Sequence, residues 1–147
     1  MTSSPSRNSL TAFGLLLTFT ATSGCQTAGA SRQVPPTVAE DASLPRLEVN
    51  GIRLHVETFG LPERPVIVVV HGGPGNDYRY LLPLQALADA FFVVFYDQRG
   101  SGLSERVADG QLTLAAFYAD LDSVVDRFGA GRPVHIIGHS WGAMLAS

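Results

Sequence analysis

Apolar residues change their spacing several times along this chain, and each change predicts an element. Leu47-Glu48-Val49 and Ile52-Arg53-Leu54-His55-Val56-Glu57 alternate with period two around Asn50-Gly51. Alternation broken at an Asn-Gly pair predicts a β-hairpin with a type I′ turn. Pro65 then opens Val66-Ile67-Val68-Val69-Val70, a continuous apolar run of the kind found in strands covered on both faces of a parallel sheet. Phe91 to Tyr96 and Val134 to Ile137 read the same way. Between the first two runs, Pro83 suits the first position of a helix that Leu84-Gln85-Ala86-Leu87-Ala88 continues. Between the second and third, Leu114, Phe117, Leu121, Val124, Val125 and Phe128 lie along one helical stripe. Thr113 is placed to cap its start and Gly129 to close it. A hairpin followed by strand–helix–strand–helix–strand–helix predicts an α/β fold with right-handed crossovers. Ligands in such sheets gather at the carboxyl ends of the strands.

The pattern before Arg46 is different. Arg7 precedes an apolar run from Leu10 to Phe19, too short to cross a bilayer and of the length of an export signal. Ala21-Thr22-Ser23-Gly24 then lead into Cys25, the only cysteine. This resembles a bacterial lipoprotein signal, in which the cysteine is lipidated and becomes the mature N-terminus. The alternative is a plain secretory signal followed by a free thiol. A lone exported cysteine otherwise lacks a partner, which favours lipidation. Residues 1–25 are therefore expected to direct export and membrane anchoring. Residues 26–45, rich in Ala, Ser, Thr and Pro, are expected to form a flexible tether, with the folded domain from Arg46 to Ser147.

Composition narrows the classes. Of 147 residues, 46% are hydrophobic and 16% charged, which suits one globular core at most. A formal charge of −3 without a basic stripe gives no reason to expect nucleic acid. No Cys/His cluster has metal-ligand spacing, and no Gly-Lys-Ser/Thr follows a glycine-rich loop, so neither a metal nor a cofactor is expected.

Candidate chemistry sits at the ends of the three apolar strands. The first run ends in His71-Gly72-Gly73-Pro74-Gly75, and the second in Asp97-Gln98-Arg99-Gly100-Ser101-Gly102-Leu103-Ser104. The third ends in Gly138-His139-Ser140-Trp141-Gly142, a G-x-S-x-G pattern set between a β-branched run and a helix-forming stretch. A serine hydroxyl attacks a carbonyl only when a tight turn presents it, a base deprotonates it and donors hold the oxyanion. Small residues two before and two after the serine let strand and helix approach around such a turn. His139 directly precedes the serine, so its side chain should point away from that of Ser140. His71, His55 and His135 read as structural, Asp97 and Arg99 as braces of their loop, and Ser104 as its local hydrogen-bonded end.

These three ordered motifs resemble the α/β-hydrolase superfamily, and within it the proline iminopeptidase-like serine peptidases. The resemblance covers Arg46 to Ser147 and corresponds to the amino-terminal half of that fold. It implies Ser140 as nucleophile, with the backbone N–H groups of Gly73 and Trp141 as oxyanion donors, and the Trp141 ring beside the substrate. The substrate would be a peptide N-terminus or a small acyl compound. In this family the acid and then the histidine of the triad follow the serine, yet residues 141–147 contain neither. Without the later strands and the cap, the Val134 strand should present an apolar edge, and we expect a fragment that is insoluble or inactive by itself. Two alternatives stand: an esterase or amidase of the same fold, and a non-catalytic remnant. Epoxide-opening relatives share the motif pattern but use a carboxylate where Ser140 stands.

Overall fold

The computed structural model describes Met1 and residues 34–147. The expected signal segment, Cys25 and the first part of the expected tether lie outside the described residues. Strand β1 (Arg46–Val49) and β2 (Ile52–Phe59) form the predicted hairpin, with Asn50 and Gly51 both at positive φ (48° and 75°) as a type I′ turn requires. The apolar runs become β3 (Val66–Val70), β4 (Phe92–Tyr96) and β5 (Val134–Gly138). The sheet order is β1-β2-β4-β3-β5, with β2 antiparallel to β4, and β3 parallel to both β4 and β5.

This order carries a consequence for function. The chain steps from β3 to β4 in one direction, then returns past β3 to reach β5 in the other. Two crossovers of one hand that run in opposite directions put their helices on opposite faces. The packing agrees: Val66, Val68 and Val70 join Phe117, Leu121 and Val124 on one face, while Ile67 and Val69 join Tyr78, Leu81 and Leu84 on the other. Period-two alternation sorts each buried strand between two cores, so β3 needs apolar residues throughout. The reversal falls between β3 and β5, and a crevice opens at the carboxyl ends of strands where the order reverses. The loop after Val70 and the turn after Gly138 meet there.

Three local expectations are corrected. The first connecting segment is a 3-10 helix spanning Tyr78–Asp89, with Pro83 inside it rather than at its start. The start is fixed by Asp77, whose side chain accepts from the Arg79 N–H at 3.0 Å. Helix α1 (Leu114–Gly129) begins at Thr113, whose hydroxyl accepts from the Ala116 N–H, but Gly129 does not close it. Ala130 takes the left-handed position (φ 49°), and Gly129 is the last helical residue, where a Cβ would fall 2.7 Å from Val134. Finally, part of the stretch assigned to a tether is packed. Thr37 and Val38 are buried, and the Val38 N–H donates to the Leu103 carbonyl at 2.8 Å.

β5 is one edge of the sheet, and Ile136 on it is 37% exposed. His135 on the same strand is exposed, with Phe91 edge-on to its ring, so it belongs to no buried network.

Candidate active site

The elbow is built by close approach. Only His139 and Ser140 separate β5 from helix α2 (Trp141–Leu145), and Ser140 caps the start of the helix. Ser140 has φ 52° and ψ −117°, a conformation that L-residues rarely adopt. The turn closes only because its flanks are bare. A Cβ on Gly138 would lie 2.6 Å from the Ala143 N, and one on Gly142 would overlap the Val70 carbonyl. The strained serine thus stands at the tip of a turn whose two sides are in backbone contact. Ser140 is exposed, and among the described residues its hydroxyl has no hydrogen-bond partner.

The loop after β3 is locked to this turn. The Gly72 N–H donates to the Tyr80 hydroxyl at 2.6 Å, and that hydroxyl lies 3.0 Å from His139 Nδ1. One phenol therefore ties the glycine loop to the residue before the serine. The His139 ring is engaged by Tyr80, packing edge-on against it at 5.3 Å. Gly72 is itself a close approach, since a Cβ there would fall 3.0 Å from Ser140 Cβ. Gly73, next along, needs no such space but has φ 61°, which a side chain would strain. Among the described residues, neither the Gly73 nor the Trp141 N–H donates to a protein acceptor. Both remain available to a ligand.

Gln98 joins all three motifs. Its backbone N–H donates to His71 Nε2 at 3.0 Å, and its side-chain amide donates to the His71 carbonyl at 2.7 Å. Its Oε1 accepts from the Trp141 indole N–H at 2.9 Å. His71 Nε2 is thus an acceptor, and Nδ1 carries the hydrogen toward the Gly72 carbonyl at 3.1 Å. His71 is fully buried, and that burial lowers its pKa below the ordinary 6.5, which keeps it in the neutral form this fork requires. It holds the loops and has no free nitrogen for proton transfer from Ser140.

Asp97 and Arg99 brace their loop, as their sequence position suggested. The Asp97 carboxylate accepts from the Tyr78 and Leu103 N–H groups and from His55 Nδ1. Arg99 makes a buried two-point pair with Asp120 of α1, at 2.7 Å for each contact. Ser104 donates to the Asp97 carbonyl and accepts from the His55 N–H. The Trp141 ring meets Phe117 edge-on at 5.6 Å and, with it, lines a cavity of about 270 Å³ that Pro74, Arg99 and Leu112 complete. Ser140 lies beside this cavity rather than in its lining.

Sequence reasoning missed Tyr80 and Asp120. Tyr80 gave no periodic or motif signal. Asp120 did: an acid three residues after Phe117 and four before Val124 falls on the apolar stripe, where an unpaired charge is costly. Among the described residues, no group of three or more His, Cys, Asp or Glu is placed to hold a metal.

Comparison with known proteins agrees with this geometry. A family model described as alpha/beta hydrolase fold matches residues 65–147. The chain is 38% identical to a proline iminopeptidase of Heyndrickxia coagulans, over 69% of the chain and 35% of that protein. It is 40% identical to epoxide hydrolase A of Mycobacterium tuberculosis, over 67% of the chain and 31% of that protein. Among solved structures, a proline iminopeptidase-related protein of Thermus thermophilus superposes with a TM-score of 0.64 at 33% identity, covering 70% of this chain and 38% of that one. The chain thus spans about a third of the length of these relatives, and only 16% of a probable oxidoreductase of the same mycobacterium. With the strand order, the elbow and the family match in agreement, the chain belongs to the alpha/beta hydrolase fold family.

Proposed function

We propose that Ser140 is the acyl-accepting nucleophile of a serine hydrolase acting on peptide N-termini. The observation that carries this is the backbone of Ser140, held at φ 52° and ψ −117° at a strand–helix joint with its hydroxyl uncommitted. Ser140 Oγ would attack the carbonyl and form a C–O bond, giving up its proton to a base. The resulting oxyanion would accept from the Gly73 and Trp141 N–H groups. Collapse expels the amine, and water then hydrolyses the acyl-enzyme. The chain spans about a third of the length of its relatives, and the activity proposed is that of the whole architecture.

A second reading, esterase or amidase action on small substrates, draws support from the cavity at Trp141. Arg99 is the one charged residue in its lining and is already paired with Asp120, so no carboxylate there awaits a peptide's amine. An epoxide hydrolase reading finds less support, because the carboxylate nucleophile such enzymes use is replaced by Ser140.

Reacting the protein isolated from its native cells with a fluorophosphonate probe should place the adduct on Ser140, as read by peptide mass. A folded protein that takes no adduct, or takes it elsewhere, overturns the nucleophile assignment and favours a non-catalytic remnant. Comparing prolyl-arylamide with short-chain aryl ester hydrolysis then separates the two substrate readings. Faster arylamide turnover supports the aminopeptidase.

We also propose export and lipid anchoring through Cys25. The support is its placement after a short apolar run and small residues. Metabolic labelling with palmitate should mark the natural protein and be lost in Cys25→Ser. Labelling that persists in the variant removes the proposal.

A further inference from the structure

A second cavity lies away from the elbow and contains an uncommitted buried group. It has a volume of about 350 Å³ and is lined by His55 and Glu57 of β2, Tyr78 and Leu82 of the 3-10 helix, Leu103, and Pro35. β2 is three strand positions from β5 in the sheet order, about 14 Å at the ordinary strand spacing. The cavity is therefore distinct from the site at Ser140.

His55 is 2% exposed. Its Nδ1 lies 3.2 Å from Asp97 Oδ2, and a carboxylate only accepts, so the ring hydrogen sits on Nδ1. In the neutral ring Nε2 is then an acceptor, buried and without a hydrogen-bond partner among the described residues. Tyr78 stacks on the ring at 5.7 Å and fixes its plane. Glu57 Oε1 is 3.8 Å from Nε2, too far for a hydrogen bond between them. One donor group placed between the two atoms can serve both.

The charges around the cavity decide what that donor is. Asp77 is paired with Arg79 at 2.6 Å, and the Asp97 carboxylate is filled by two backbone N–H groups and His55. The Tyr78 hydroxyl approaches the Glu57 carboxylate, which among the described residues has no cationic partner other than the long approach to His55. Two converging acceptors, one of them anionic, call for a cation with at least two N–H bonds. Leu82, Leu103 and Pro35 supply an apolar wall for its body. We propose that this cavity binds a small organic primary ammonium, its N–H groups shared between His55 Nε2 and the Glu57 carboxylate and its hydrocarbon part against Leu82 and Leu103.

The test is nuclear magnetic resonance of the natural protein carrying isotope-labelled histidine, titrated with n-butylammonium. A saturable shift of the His55 ring resonances is expected. Tetramethylammonium, with the same charge and no N–H, should give no saturable shift, and n-butanol should bind far more weakly. Glu57→Gln, at a side chain 39% exposed and so tolerant of exchange, should weaken n-butylammonium by at least about tenfold. No saturable shift overturns the proposal and leaves Nε2 to water. An equal response to n-butanol or to tetramethylammonium overturns it too, as does unchanged affinity in Glu57→Gln. Because Ser140 takes no part, these outcomes are independent of the hydrolase reading.

Discussion

Replacing Asp120 by alanine is expected to lower the free energy of unfolding by roughly 3–5 kcal/mol, read from urea denaturation of the chain and its variant. Asp120 is 2% exposed and Arg99 6%. The carboxylate accepts from Arg99 Nε on one oxygen, and from Arg99 Nη2 and Asn50 Nδ2 on the other. Removing it strands a guanidinium that, among the described residues, keeps only the Gln111 carbonyl at 3.0 Å. The loss therefore exceeds that of an exposed pair, which contributes about 1 kcal/mol or less. The paired change Arg99→Met with Asp120→Leu should cost less than Asp120→Ala alone, because no charge is then left uncompensated. A loss below about 1 kcal/mol in Asp120→Ala would show that water reaches the guanidinium. Arg99 is the neighbour of Gln98, which binds both His71 and the Trp141 indole, so the same variant loosens the loop that aligns the elbow.

Much of this arrangement is legible in the chain, and the illegible part has a physical pattern. Period-two alternation and continuous apolar runs report which faces a strand covers, so β1 to β5 follow from Leu47, Val68, Val94 and their neighbours. They do not report which strand lies beside which. That β4 stands between β2 and β3, and β5 beside β3, emerges only from pairing, yet the β3–β5 pairing brings the Gly72 loop to Ser140. The three glycine-rich motifs were readable because bare positions have few uses at strand ends. Gly142 against the Val70 carbonyl and Gly72 against Ser140 bear that out. Tyr80, Gln98 and Asp120 act through hydrogen bonds across 59, 43 and 21 residues of sequence. Such links leave little in the sequence to find: of the three, only Asp120 breaks a pattern, as an acid on the apolar stripe of α1. The 3-10 helix began earlier than Pro83 suggested because the Asp77 side chain, a feature of the preceding loop, sets its start.

Ser140→Gly and Ser140→Ala are expected to abolish fluorophosphonate labelling of the natural protein alike, while differing in stability. Both remove the only hydroxyl at the elbow, so no acyl or phosphonyl adduct can form there. Alanine keeps the Cβ and therefore the strain of φ 52° and ψ −117°; its stability should stay within about 0.5 kcal/mol of the parent. Glycine adopts positive φ without a steric penalty, and relief of strain on the order of 1–3 kcal/mol outweighs the roughly 0.5–1 kcal/mol of added chain entropy in the unfolded state. A net gain of about 1 kcal/mol in Ser140→Gly follows, measurable as a higher urea midpoint at unchanged slope. Equal stabilities for the two variants would mean that the turn imposes no strain on residue 140, and the strained presentation of the nucleophile would fall with it. A stabler but unreactive glycine variant would instead show that the fold holds Ser140 in a conformation whose use lies in chemistry rather than in stability.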